Sequence, residues 1–428
     1  DLISMRLYSF PLETWVLTGL RQLSVADNNI SVVPPDLALL ERLAHLDIHD
    51  NQVAIMPHQV GRLAQLRTLN CGRNFLSALP ADLRNCTRIT ALNLDGNRFK
   101  AFPPEACALL ALVDLSIDSN MIAEIPEEVQ ALTALEALAM AFNQLRALPA
   151  TMFRMTSLTR LAMVGNPLVS PPAELMLLPF PAPLGYLERV HASRASRRLD
   201  LAAYRLSAVP LVVPTLTDVE EICLATNRLR DIPGTVRSLK LLRKLDLTEN
   251  ALQALPEDLV SLPVLAAVLL SYNEFTVFPE VLGRCSRLTE LAMPHNGLTE
   301  LPKAIAGLTL VTRLDVGANQ LARISDAVGN MVVLRTLDLN ENLLRALPRT
   351  FGRLTRLREL DLSCNQLESL PVEIGQLTDL EELQIHENHF DVASKGLPGV
   401  GLMGMIKYFQ ACATSQYTGK LQLHVIGM

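Results

Sequence analysis

Three places along this chain carry residues of the kinds that perform chemistry. His45, Asp47 and His49 alternate along an extended stretch, which sets two imidazoles and a carboxylate on one face of a strand. These are metal-ligand types, but the two histidines stand about 13 Å apart on a strand, too far for one ion. They read as a solvated polar patch, and His386 and His389, three apart across a turn, fare no better. Gly399, Gly401 and Gly404 spell G-x-G-x-x-G, the backbone of a pyrophosphate-binding turn. That turn needs a preceding strand, a βαβ unit and a later acid, and the sequence to Met428 supplies none of them. Residues Lys420 to Gly427 alternate like a strand ending in glycine, as does a strand that delivers a phosphate-binding loop. The chain stops before any Lys or Ser/Thr that would hold phosphate and magnesium, so this stretch is equally an edge strand or cap. Spacing assembles no Ser/His/Asp or Cys/His set. The expectation is a protein with no catalytic residues, no cofactor and no metal, and therefore not an enzyme.

What positions all of these residues is a repeat. Asparagines stand at Asn28, Asn51, Asn74, Asn97, Asn120, Asn143 and Asn166, then at Asn227, Asn250, Asn273, Asn296, Asn319, Asn342, Asn365 and Asn388. The 23-residue unit reads L-x-x-L-x-L-x-x-N-x-L-x-x-L-P, as in Leu357, Leu360, Leu362, Asn365, Leu367, Leu370 and Pro371. The L-x-L alternation predicts a short strand with one buried face. The stretch after the proline suits a helical or 3₁₀ turn. Repetition of strand, turn and short helix predicts an α/β solenoid of about 16 full repeats, a horseshoe with a parallel sheet on its concave face. The amide of each asparagine is expected to satisfy buried backbone groups where the chain leaves the strand. Proline follows six residues after the slot in fourteen of the sixteen units, with Ser325 and Ser394 the exceptions, and is expected to stop the strand.

With its -LP- ending and 23-residue period, the sequence resembles the intracellular Ras-group leucine-rich-repeat family. That family includes Ras-suppressor-like scaffolds, plant intracellular Ras-group repeats and the repeat region of Roco proteins. The resemblance covers nearly the whole chain and implies a protein-interaction scaffold in intracellular signalling. In Roco proteins such an array runs into a Ras-like GTPase domain, so it also implies an alternative. Here the chain would be the regulatory repeat region of a multidomain Roco-type GTPase or kinase, whose GTPase domain begins at residues 419–428. A receptor ectodomain is a third possibility.

Composition sets the bounds. Hydrophobic residues make up 49% of the chain and aromatics only 4%, which suits a leucine ribbon. The longest greasy run, Leu175 to Leu187, is interrupted by prolines and too short to span a membrane. A net charge of −6 argues against nucleic acid. The seven cysteines are scattered, with Cys71 in a leucine slot, and no basic-plus-apolar leader is visible, so the expected location is cytoplasmic. The sequence begins at Asp1 with Met5 in an asparagine slot, as expected of a fragment of something longer. The period breaks between Asn166 and Asn227, where Tyr204 takes one slot and fifteen residues are extra. This divides the chain into a first array (1–166), a cap-like insertion (167–195), a second array (196–394), a C-terminal cap helix region (395–418) and the strand-like tail (419–428).

A partner is expected on the concave slots six, four and two residues before each asparagine, with the residue just before it forming a rim. The first array offers Asp27, Asp47, Asp50, Asp95, Asp114 and Asp118, and the last repeats offer Asp338, Glu341, Glu359, Asp361, Glu382 and Glu387. Between them lie Ala137, Ala139, Ala141, Phe142, Val164, Leu269 and Tyr272, interleaved with Arg160, Arg198 and Lys244. Exposed aromatics are disfavoured by solubility and enriched at binding hot spots. The expected partner is therefore a protein with a basic surface, such as a small GTPase or another signalling protein. Phe142 and Tyr272 would anchor it, and the acids would steer it.

Overall fold

The computed structural model describes residues 1–390, 401, 403, 404 and 406–411, and the chain divides into two units, Asp1–His191 and Ala192–Met428. In the first unit seven three-residue strands stack in chain order, from Gln22–Ser24 to Arg160–Ala162. In the second, nine stack from Arg198–Asp200 to Glu382–Gln384. Neighbours are parallel and offset by one repeat, so Leu23 faces Leu46, Leu245 faces Val268 and Leu337 faces Leu360. Equivalent slots of successive repeats therefore lie about 4.8 Å apart. In all but the last strand of each array, the central residue is buried in the core, as at Leu46 between half-buried His45 and Asp47; Leu161 and Leu383 are half-buried.

Each repeat then returns through a tight turn. Pro34 (φ −75°) opens a 3₁₀ turn over Pro35–Leu39, and Pro57 (φ −69°) opens another over His58–Arg62. Contrary to the expectation from sequence, the prolines do not stop the strands. The strand His45–Asp47 has ended well before Pro57, and the ring's fixed φ instead sets the start of the turn. Where Ser325 replaces proline, its hydroxyl accepts the Ala327 N–H at 3.3 Å and caps the turn. Two repeats tighten into short α-helices, α1 (Pro104–Cys107) and, after the longer α2 (Ala182–Ser196), α3 (Glu280–Arg284). Neighbouring turns approach so closely that a Cβ on Gly307 would lie 1.7 Å from the Gly283 carbonyl oxygen.

The asparagines build the ladder that the turns require. Asn74 Nδ2 donates to Ile48 O (2.9 Å) in the preceding repeat and to Cys71 O (3.2 Å) and Gly72 O (3.1 Å) in its own. Its Oδ1 accepts the Val53 N–H at 2.9 Å. The same pattern runs through Asn51, Asn120, Asn250 and Asn365, always reaching back by one repeat. Just before the asparagine the backbone is left-handed, at Asp50 (φ 51°), Phe142 (53°), Tyr272 (53°), Cys364 (54°) and Glu387 (53°). Gly96 and Gly165 occupy the same slot at φ 61° and 78°. A non-glycine residue there costs about 1–2 kcal/mol.

Residues 167–195 hold a 3₁₀ turn at Ala173–Leu177 and most of α2. Near the C-terminus, residues 403, 404 and 406–411 are helical. Ile406 and Phe409 are buried, and Gln410 Nε2 donates to Gly375 O at 3.0 Å. Ser394, Gly399, Cys412 and the strand expected over 420–427 lie outside the described residues.

Candidate functional site

The strand-lined faces carry the slots where a partner was expected, and the structure gives many of their acids a second task. Except at Pro294, the residue two before the asparagine has a backbone N–H that points away from the sheet ladder and needs an acceptor. In several repeats an aspartate or asparagine four before the slot supplies it: Asp47 accepts from His49 N (3.1 Å), Asp338 from Asn340 N (3.0 Å) and Asp361 from Ser363 N (2.9 Å). Where Ser116 and Ala139 hold that position, the acid one rung back takes over. Asp95 accepts from Asp118 N (2.7 Å) and Ser116 Oγ (2.7 Å), and Asp118 accepts from Ala141 N (2.6 Å). Sequence reasoning missed this role. The signal was the recurrence of Asp or Asn in one slot, whose side chain bonds its own backbone two residues on.

Crowding perturbs these acids. Burial pushes Asp118 and Asp315 above the usual carboxylate range, while the Ala141 and Gly317 N–H groups pull back. Burial raises Asp338 to about 6, and Asp315 and Asp361 on neighbouring rungs add to the rise. Together with Arg313, Glu359, Glu382 and Gln384, Asp338 and Asp361 line a shallow depression of about 200 Å³. Glu382 is exposed and accepts from Gln384 Nε2 at 2.7 Å. Two of the expected basic slots are paired across rungs: Arg198 Nε donates to Glu221 on the next rung at 2.8 Å, and Arg160 lies 3.7 Å from Asp114 two rungs back.

The apolar slots behave unevenly. Ala137 and Ala141, expected to be exposed, are buried, because a methyl group between longer side chains on adjacent rungs is covered by them. Leu269 and Ala139 are half-buried. Phe142 and Val164 are 62% and 68% exposed, and Tyr272 is 51% exposed. Phe142 lies against Gly165, whose missing side chain makes room: a Cβ there would be 2.5 Å from the ring. In the second unit Tyr272 stacks on His295, with ring centroids 4.1 Å apart and planes 12° from parallel. Both aromatics thus stand on left-handed rim positions, each against the next repeat and more than half exposed.

The histidines separate as their spacing implied. His49 Nδ1 lies 2.7 Å from Asp47 Oδ1, whereas His45 Nδ1 meets Thr68 Oγ1 at 2.7 Å. Cys71 is fully buried, and burial pushes its thiol up; Cys86 and Cys107 are likewise pushed up to about 11. One grouping was not foreseen. Cys364 and Glu387 share the rim slot one repeat apart, and with His386 their ligand atoms lie within 4.8 Å of one another. His389 is not part of that group.

Residues 332–390 match the family described as leucine rich repeat. No curated protein matches the chain. Among solved structures, the chain is similar to an LRR protein of Leptospira interrogans, at 24% identity over 93% of this chain and 92% of that one, with a TM-score of 0.39. It is also similar to the LRR ectodomain of a membrane receptor kinase from Arabidopsis thaliana (26% identity, 89% of this chain, TM-score 0.42), of which it spans 49%, about half. An internalin from Listeria monocytogenes is similar at 20% identity, over 86% of this chain and 87% of that one, with a TM-score of 0.37. Among the described residues, no helix is long and apolar enough to cross a membrane.

Proposed function

We propose that this leucine-rich-repeat solenoid is a non-catalytic interaction scaffold in intracellular signalling, which binds a protein with a basic surface along its strand faces and rims. A small GTPase, or another signalling protein in the cytoplasm, has the required character. The observation that carries this reading is the placement of Phe142 and Tyr272. Each is a bulky residue in a left-handed conformation that disfavours it, and each is more than half exposed. Neither fills the core, so their role is outward. Around them, Asp95 and Asp118 in one unit and Asp338, Asp361 and Glu382 in the other supply a negative field that speeds approach of a cationic surface. In the same reading, residues 167–195 are a cap-like insertion between two arrays.

The test is capture of a protein partner on the immobilised chain, followed by titration of that partner against variants. Phe142→Ala and Tyr272→Ala are each expected to weaken binding about tenfold or more, as truncated hot spots do. Affinity should also fall as salt is raised. A partner whose affinity is unchanged by both substitutions would refute the anchor assignment.

A further inference from the structure

We propose that Cys364, His386 and Glu387 form a binding site for one thiophilic divalent cation of the Zn²⁺ class, on the rim of the second unit. The donor atoms lie within 4.8 Å of one another, and Cys364 Sγ is already 3.3 Å from Glu387 Oε2. A tetrahedral zinc ion with a bond of about 2.3 Å to sulfur and about 2.0 Å to oxygen places those two ligands about 3.5 Å apart. Small side-chain rotations bring the imidazole to the same distance, and the exposure of His386 and Glu387 leaves room for them.

The backbone beneath the three ligands is fixed. Cys364 and Glu387 hold equivalent left-handed positions on successive rungs, at φ 54° and 53°. The Cys364 N–H donates to His386 O at 3.0 Å, which pins the spacing between the rungs. Asn365 and Asn388 anchor the chain immediately behind, each bonded to the preceding repeat. Glu341 occupies the same rim slot one rung earlier and adds negative charge nearby. A thiolate, an imidazole and a carboxylate together favour Zn²⁺ or Co²⁺ over Ca²⁺ or Mg²⁺, which prefer oxygen alone. Three protein ligands leave one tetrahedral position for water or an outside donor.

Cobalt reports the site directly, because tetrahedral Co²⁺ bound to a thiolate shows intense visible bands and a sulfur-to-metal charge-transfer band. Titration of the full chain with Co²⁺ should develop both at one equivalent, and Zn²⁺ should bleach them. Cys364→Ser should abolish the charge-transfer band, and His386→Ala and Glu387→Gln should each weaken binding tenfold or more. Cys223→Ser, six repeats away in the same unit, should change nothing. The proposal is overturned if excess Co²⁺ gives no thiolate band, or if the band survives Cys364→Ser. It is equally overturned if the His386 and Glu387 variants bind as tightly as the parent chain.

Discussion

Replacing Asn74 by alanine tests the ladder at one rung. The side chain is 2% exposed and makes four hydrogen bonds, but their loss is unequal. Ile48 O keeps the amide of Asn51, Cys71 O keeps that of Asn97, and Gly72 O keeps the Asp50 N–H. The Val53 N–H, on a fully buried residue, has Asn74 Oδ1 as its acceptor and would be left without one. Orphaning one buried donor costs about 1–3 kcal/mol, and thinning three carbonyl pairings adds roughly 1 kcal/mol, so Asn74→Ala should destabilise its neighbourhood by about 2–4 kcal/mol. Because a solenoid couples mainly nearest neighbours, hydrogen exchange resolves the effect better than a single melting temperature. The Val53 amide should exchange at least ten times faster, while amides several repeats away keep their protection. Asn74→Asp should be worse near neutral pH, since it keeps the acceptor but sets a carboxylate against three carbonyl oxygens. If Val53 stays fully protected in Asn74→Ala, the hydrogen-bond argument is wrong.

Two other positions give sharp outcomes. Asp338 titrates near 6 in the folded chain against an ordinary value of 3.8, so the native state binds this proton more tightly than the unfolded state does. Its contribution to stability must therefore decline as pH rises from about 4 to about 6 and level off above, by about 1–2 kcal/mol once solvent screening is allowed for. Asp338→Asn keeps an acceptor for the Asn340 N–H and should be the more stable form at pH 8 in urea denaturation; a loss of stability there would count against the assigned cause. Gly307→Ala would drive a methyl group into the Gly283 carbonyl, which must shift to accommodate it. A cost of about 1–3 kcal/mol is expected by urea denaturation, and a neutral result would mean that the turns can separate freely.

The strands and the asparagine rungs were legible because both follow from a fixed period and side-chain alternation, as at Leu360 and Asn365. The proline was readable as a marker, but its work was misassigned. Pro57 fixes a φ, and pattern alone does not say which element that φ opens. Asp95 and Asp118 looked like free charges because the N–H groups they accept belong to other repeats or to loop backbone, invisible to a hydropathy pattern. The burial of Ala141 depends on the length of its neighbours across rungs, which sequence order hides. The Cys364 grouping had a visible clue, two ligand types 23 residues apart in one slot. Comparing histidines only with nearby histidines concealed it.

Because every asparagine reaches back toward the preceding repeat, the two ends of any shortened array are chemically unlike. Cutting the chain before the repeat of Asn97 would strip the Leu76 N–H of its acceptor, leaving an unmet donor in the new last repeat. Cutting on the other side, so that Asn97 belongs to the first repeat, removes its bond to Cys71 O but leaves those to Leu94 O and Asp95 O intact. At the asparagine itself, trimming from the front therefore leaves spare donor capacity that water can fill, and trimming from the back leaves an unmet N–H inside the core. A designer of truncated arrays would have to cover the leucine core at both termini, but only the cap at the C-terminal end must also supply an acceptor in the asparagine slot.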